Sequence, residues 1–462
     1  MMPGRQRELR PPRSATLALG LTAWVLLCLF CSQGTPPGVD LPAHAAQIRT
    51  LAGLLRGEPE LAARFSAHLV PGYGLVTWMM APVAMLFDGA VAVRLALFVS
   101  MAGLLPALAL LLNRARLPES LCFLAAPFGF SFAYWYGFLP ELFARTLAVL
   151  AAAAWIGSQR DGRPGREALA AALGCLVALA HLLTFGVFLL SLLALAAVKR
   201  QQSVFRSLRS LLPGALIAAS SLLVLRTSVG PATAQGWRWD GAGHALFFLR
   251  NYQQEGKAGL VASLVLFLLL LLPSARTPAR RSALVVVGAL CLAYLACPRD
   301  LGVATILCFR LPAFIGLAAV CAGAPVLASR WRLGLAAACV AVALFQVVDF
   351  HASFRRSVAG LVSVTGEERT RAFLSLEGPR LPGTRFPYLE HFGEWVTGRK
   401  GGIGASFFAD TPHQPVQRRP GAPPPPEPEA LYVHGVGPLP AGFEGWCVER
   451  HAFEWRRFDH RC

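Results

Sequence analysis

The sequence predicts an all-α polytopic membrane protein of about eleven transmembrane helices, with juxtamembrane helices in the first outer loop and a small extracytoplasmic α+β tail. Three observations lead there. Of 462 residues, 55% are hydrophobic and only 15% charged, with mean hydropathy +0.52, which is not a soluble composition. Several apolar runs reach the roughly 18–20 residues needed to span a hydrocarbon core, and runs this long and unbroken exclude a β-barrel. The formal charge of +18 falls in short Arg clusters between those runs. That is the positive-inside pattern, not a nucleic-acid surface.

The elements follow in order. The basic N-terminus leads into an apolar run over 15–33. A signal peptide is one reading of it, but no small-residue cleavage site follows Cys28–Cys31, so an uncleaved first crossing is expected. Residues 41–56 carry Leu41, Ile48, Leu51 and Leu55 on one stripe, with Gln47, Arg49 and Arg56 elsewhere; an amphipathic helix lying on the membrane is expected. The segment 72–87 is too short to cross, and its Trp78 suits the interface. The second crossing is 94–112.

Basic loops at Asn113–Arg116, Arg160–Arg166, Lys199–Arg209, Arg276–Arg281 and Arg330–Arg332 set the topology. If all face the cytoplasm, an even number of crossings separates each neighbouring pair. Two crossings are then expected in 117–157, broken around Trp135-Tyr136-Gly137. A hairpin in 167–198 turns near His181-Leu182-Leu183-Thr184. Two more crossings lie in 210–273 around an outer loop from about 227 to 257, and two in 282–328 around Pro298-Arg299-Asp300. A last crossing covers about 332–350. The N-terminus is inside and the tail outside. The chain divides into a bundle, 1–350, and a tail, 351–462, with a Pro-rich linker at 420–428 and short strands at Ala430–Val433 and Trp446–Val448. A Cys447–Cys462 disulfide would support so small a unit; most other cysteines lie in apolar runs as core residues.

This topology gathers ionisable groups at the outer surface, where such residues tend to mark substrate paths. Asp40 and His44 are four apart, on one helical face. Asp40 precedes Leu41-Pro42, so it is either the N-cap of the helix or a general base or metal ligand. His44 is a metal ligand, an acid–base partner or an interfacial polar residue. Glu141 is a functional acid or a helix-start carboxylate favoured by the dipole. His181 sits at the hairpin turn. Arg310 either snorkels or holds a phosphate, and Arg226 and Lys257 are weaker choices for that role. Trp237 and Trp239 read as interfacial anchors, beside Asp240, His244 and Arg250 of the same loop.

Together these features resemble the GT-C superfamily of membrane glycosyltransferases, which use polyprenyl-phosphate-linked donors, as protein O-mannosyltransferases and the aminoarabinose transferase of lipid A do. The resemblance rests on Asp40 in GVDLPAHAAQI after the first crossing, the two juxtamembrane segments, the Gly89 to Arg94-Leu95 start of the second crossing, and the bundle ending in an outer tail. Tyr388-Leu389-Glu390-His391-Phe392, Gly401-Gly402 and Phe407-Phe408 look like tails of uncharacterised bacterial members. Many members pair two acids in the first loop; here Leu41 follows Asp40, and Glu141 is the nearest second acid. The resemblance implies a multi-pass protein of the bacterial cytoplasmic (inner) membrane. Its donor would be a polyprenyl-phosphate sugar and its acceptor a hydroxyl on a glycan, lipid or protein. Asp40 would act as base, with the catalytic set completed by His44 and Glu141. His181, Arg310, Lys257 and Arg226 would bind substrate, and a divalent metal on Asp40 and His44 is the cofactor such a site could take. The other readings of the chain are a lipid or polysaccharide transporter and a membrane scaffold.

Overall fold

The structure is a computed structural model that describes residues 13–69, 72–198, 202–228, 257–271, 278–298, 307–323, 330–364, 371–376, 380, 387–401, 414–423, 428–435, 438–439, 447–452 and 455–459. The first apolar run forms α1 (Arg13–Ser32), tied to the bundle where the Trp24 indole N–H donates to the Met101 carbonyl at 3.0 Å. Next come α2 (Leu41–Leu55), α3 (Pro59–Arg64), the short strand β1 (Phe65–Ala67) and α4 (Leu75–Leu86). With 12 residues, α4 reaches only about 18 Å, too little for a crossing. The next apolar span, Gly89–Arg114, consists of α5 (Gly89–Ala102) and α6 (Leu104–Arg114), jointed at Gly103. A working carboxylate cap opens α5: Asp88 Oδ1 accepts from the Val91 N–H at 2.6 Å.

The first of the two crossings expected in 117–157 is not a continuous helix. It is a 3₁₀ turn over Glu119–Ala125 followed by α7 (Ala126–Gly129) and α8 (Phe132–Tyr136). Pro118 and Pro127 each lack an N–H to donate, and Gly137 ends α8 with φ +82. The segment is nevertheless buried almost throughout. Irregular backbone at membrane depth is tolerated when protein encloses it. It still carries the chain from the Arg114–Arg116 end of the bundle to the end where the Asp40 N–H meets the Tyr136 carbonyl at 2.9 Å.

From there α9 (Leu139–Asp161) and α10 (Pro164–Ala180) run to His181, which is extended at φ −163 and ψ 113, and α11 (Leu182–Val198) starts straight after it. The break falls where the sequence placed the turn. The remaining bundle helices are α12 (Gln202–Ser228), α13 (Lys257–Leu271), α14 (Pro278–Ala296), α15 (Leu311–Gly323) and α16 (Arg330–Val364). The last does not stop near residue 350. Among the described residues, four helices are long and apolar enough to cross a membrane: Ala15–Ser32, Gly89–Arg114, Leu139–Asp161 and Trp331–Leu361. That is fewer than the eleven crossings expected. Leu182–Val198, Arg209–Val224 and Cys308–Gly323 are apolar but shorter, and 117–138 is in pieces.

Beyond α16 lie β2 (Arg371–Ser375), α17 (Glu394–Lys400), β3 (Val416–Arg418), β4 (Ala430–His434), β5 (Cys447–Ala452) and β6 (Trp455–Asp459). Four strands form a sheet of order β2-β4-β6-β5, parallel only between β2 and β4. β3 instead pairs antiparallel with β1 of the first loop, Ser66 opposite Gln417. Cys447 is disulfide-bonded; its expected partner, Cys462, lies outside the described residues.

This docking corrects the reading of α2 as a membrane-surface helix. Every residue from Leu41 to Gly53 except Arg49 is buried, because α4 and α5 pack on one part of its circumference and α17 on another. Gln47, on the side expected to face water, donates to Gln414 Oε1 at 2.8 Å and accepts from Thr77 Oγ1 at 3.3 Å. Aromatic contacts clamp the tail to α16: Phe354 meets Tyr388 at 5.3 Å and Phe392 at 6.3 Å between ring centroids, and Phe392 stacks on Trp455 at 5.6 Å.

Small residues permit this approach. A Cβ on Gly398 would lie 2.6 Å from the Ala45 Cβ, and one on Gly89 would lie 2.2 Å from the Ala45 carbonyl oxygen. Gly398→Ala and Gly89→Ala are therefore expected to destabilise the protein by about 1–3 kcal/mol each through overpacking, read as a fall in Tm in detergent and faster proteolysis of the tail. Gly186→Ala, which meets nothing within 4 Å, should leave both unchanged.

Candidate functional site

The turn Gly38-Val39-Asp40 packs against the turn Gly137-Phe138. Gly137 has a left-handed φ of +82, and a Cβ there would come within 2.9 Å of the Leu41 nitrogen and 3.1 Å of the Asp40 nitrogen. Only glycine suits that backbone and that approach. The contact places Asp40 beside the first turn of α9.

Asp40 occupies the N-cap position of α2, but its side chain makes no capping hydrogen bond. The simple capping role is thereby removed. Its carboxylate faces the tail instead, with Oδ1 at 3.9 Å from His391 Nε2. Asp40 is buried. Burial pushes its pKa up to about 8, with Arg310 acting to lower it and Glu390 to raise it. His44, one turn along α2 and also buried, is pushed down to about 3 by burial, helped by His391. Its ring lies 6.5 Å from that of Tyr73, which in turn lies 5.9 Å from His181. Burial raises the Tyr73 phenol, and Arg310, Asp40 and Glu141 all act on it.

Glu141 sits in the first turn of α9 and is fully buried. Its Oε1 accepts from Arg145 Nη2 at 2.9 Å, and its Oε2 lies 3.7 Å from Arg310 Nη1. Arg145 also donates to Ser131 Oγ at 3.0 Å and to the Phe128 carbonyl at 3.3 Å. Arg310 ends the 3₁₀ turn Cys308–Arg310 before α15. Its guanidinium lies over the Phe138 ring at 3.8 Å, a cation–π contact, and its Nη1 is 3.0 Å from His181 Nε2. A guanidinium can only donate, so Nε2 faces a donor; on the other side of the ring Nδ1 lies 3.0 Å from Thr184 Oγ1 and 3.3 Å from the Thr184 N–H, which donates to it.

Of the residues singled out in the sequence, Asp40, His44, Glu141, His181 and Arg310 therefore converge at the bundle end opposite the Arg-rich turns. The side chains of Arg226, in the last turn of α12, and of Lys257, at the start of α13, lie outside the described residues, as do Trp237, Trp239, Asp240, His244, Arg250 and Asp300. Sequence reasoning missed Tyr73, Arg145, Glu390 and His391 as site residues. Arg145 carried a signal, being an Arg four residues after Glu141 inside an apolar run. Among the described residues no three His, Cys, Asp or Glu side chains are grouped so as to hold a metal ion. Among those residues Asp40 and His44 are not joined by a third such ligand.

No family model matches the chain, and no curated protein matches it in sequence. Among solved structures it is similar to the crystal structure of ArnT from Cupriavidus metallidurans in the apo state, with TM-score 0.50, 14% sequence identity, and coverage of 96% of this chain and 98% of that one. At that identity the likeness speaks to the fold alone: the chain has an ArnT-like fold over nearly its whole length.

Proposed function

We propose that the protein is a GT-C-like glycosyltransferase of the bacterial inner membrane, moving a sugar from a polyprenyl-phosphate donor to an acceptor hydroxyl at the outer face. The observation that carries this reading is the grouping of Arg310 with Glu141 and His181, close enough to Asp40 to act on its ionisation. An anion site thus adjoins a carboxylate that has no structural bond of its own to make as a cap. The ArnT-like fold supports the class of transferase and donor.

In this mechanism the donor phosphate lies on Arg310, with Lys257 and Arg226 as further cations that could approach it. His181 and Phe138 hold the guanidinium in place. Asp40, ionised, accepts the proton of the acceptor hydroxyl. The acceptor oxygen forms a bond to the anomeric carbon as the bond from that carbon to the phosphate oxygen breaks, with inversion. The departing polyprenyl phosphate keeps the electron pair, and Arg310 stabilises it. Glu141 and Arg145 brace Arg310, and His44 and His391 line the Asp40 side. No step here requires a metal. A transporter would keep the bundle but would not need Asp40 as a base.

Asp40→Asn is the first test. Transfer of labelled sugar in proteoliposomes should fall by about 100-fold or more, while donor affinity stays near wild type. Transfer at the wild-type rate would remove Asp40 as base. Arg310→Ala should weaken donor binding by roughly tenfold or more, the scale of one charge-assisted contact to phosphate; an unchanged donor Kd would count against the phosphate role.

The pH profile gives a further check. Asp40 works only when ionised, and its pKa is raised to about 8. With donor limiting, the rate should therefore climb as pH increases from 6.5 to 9, with its midpoint near 8, and not be flat as for a carboxylate of ordinary pKa. A plateau already reached at pH 6 would show that the base is ionised throughout and that the burial of Asp40 does not govern the rate.

A further inference from the structure

At the other end of the bundle a cavity of about 660 Å³ opens between α6, α9, α11, α14 and α15. That volume lies within the range of about 300–1,000 Å³ typical of small-molecule sites. One face of α9 lines it, from Arg145 through Ala148, Ala152 and Ile156 to Arg160. The wall is apolar for most of that length, completed by Phe188, Leu192 and Phe314. Its polar mouth carries Arg114, Arg116 and Arg160. None of these three has an ion-pair partner among the described residues, although neighbouring polar groups do: Arg166 pairs with Asp161, and Asn113 bonds Glu119. Arg116 is also the one non-glycine residue with positive φ among the described residues, at +60. The mouth lies 19 residues along α9 from Glu141, roughly 28 Å at the helical rise, so its Arg rim is remote from Asp40, while the deep end of the cavity reaches Arg145, the partner of Glu141.

A tube with apolar walls and three guanidiniums without carboxylate partners at one rim is complementary to an amphiphile with a single anionic head. Guanidinium groups hold phosphate oxygens through paired N–H donors, and Arg-rich turns of a membrane protein face a leaflet surface that carries anionic lipid. We propose that this cavity binds one anionic phospholipid from the leaflet on the Arg-rich side, its phosphate on Arg114, Arg116 and Arg160 and an acyl chain along the Arg145–Ile156 face of α9. The phosphate position at this rim is distinct from Arg310, and the proposal does not depend on the transfer reaction.

The test is native mass spectrometry of the full chain purified in mild detergent and incubated with phosphatidylglycerol, phosphatidylcholine or polyprenyl phosphate, with Tm measured for each. Wild type should retain one phosphatidylglycerol and gain Tm with it, and should discriminate against phosphatidylcholine by tenfold or more. Arg114→Ala/Arg116→Ala/Arg160→Ala should lose that preference. Ala152→Trp, which fills the tube and leaves every charge in place, should lose retention while its lipid-free Tm stays near wild type. Equal retention of phosphatidylglycerol by wild type and both variants would overturn the proposal. So would equal binding of phosphatidylcholine by wild type, or displacement of phosphatidylglycerol by polyprenyl phosphate from the same site, which would assign the cavity to the donor chain.

Discussion

One buried carboxylate organises the end of this bundle at which Asp40 lies. Glu141 is fully enclosed, and taking an isolated carboxylate out of water costs several kcal/mol even after relaxation. Two guanidiniums offset that cost, Arg145 on Oε1 and Arg310 on Oε2. Each ties the carboxylate to further elements. Arg145 uses its other donors on Ser131 and Phe128, holding the broken segment 117–138 against α9. Arg310 reaches His181, joining the start of α15 to the break between α10 and α11. Removing one partner of such a buried pair costs about 3–5 kcal/mol, because it strands the other charge. The count of charges also matters: two cations enclose one anion, and Arg310 is the more loosely held, at 3.7 Å.

The second constraint is steric. Asp40 reaches the Glu141–Arg310 group only because Gly137 has no Cβ and adopts a left-handed backbone against the Asp40 peptide. It is buried only because the tail comes over it: α17 packs on α2, and His391 stands 3.9 Å from its carboxylate. The tail is therefore part of the site. Its strand β3 pairs with β1, and its aromatic residues pack on α16, so the environment of Asp40 depends on contacts more than 300 residues away in sequence.

Much of this was legible in the chain. Glu141, His181 and Arg310 stood out because ionisable residues beside apolar runs are expensive and need a reason, and the parity of the Arg clusters placed them at one end. The His181 break followed from a run too long for one helix and too short for two ordinary ones. What could not be read was whatever depends on long-range contact. The burial of α2 was hidden because a periodic stripe reports one apolar face and says nothing of a partner such as Gln414 covering the polar one. Tyr73 lies in a short irregular segment with no local pattern around it, and the stretch holding His391, though it stood out as a motif, carried nothing to say that it folds back over Asp40. The broken crossing misled for a different reason. Pro118, Pro127 and Gly129 were visible as interruptions, but the length of the run matched a span, and only tertiary enclosure satisfies a backbone in pieces at that depth.

The same electrostatics bear on how a buried base could act on cue. In the free protein Arg310 favours the ionised form of Asp40, while burial and Glu390 oppose it. In the proposed reaction a donor phosphate on Arg310 would neutralise that guanidinium. The attraction that lowered the pKa of Asp40 would be screened, and a second negative charge would stand nearby, so the carboxylate would hold a proton more tightly with the donor in place than without it. A raised pKa makes the ionised carboxylate a stronger base but leaves less of it ionised, so the value of about 8 belongs to the donor-free protein and the midpoint with donor bound lies higher. The tail supports this by keeping water away from Asp40, because in a wet site the donor's charge would be screened within a few ångströms and the coupling between phosphate and carboxylate would be small.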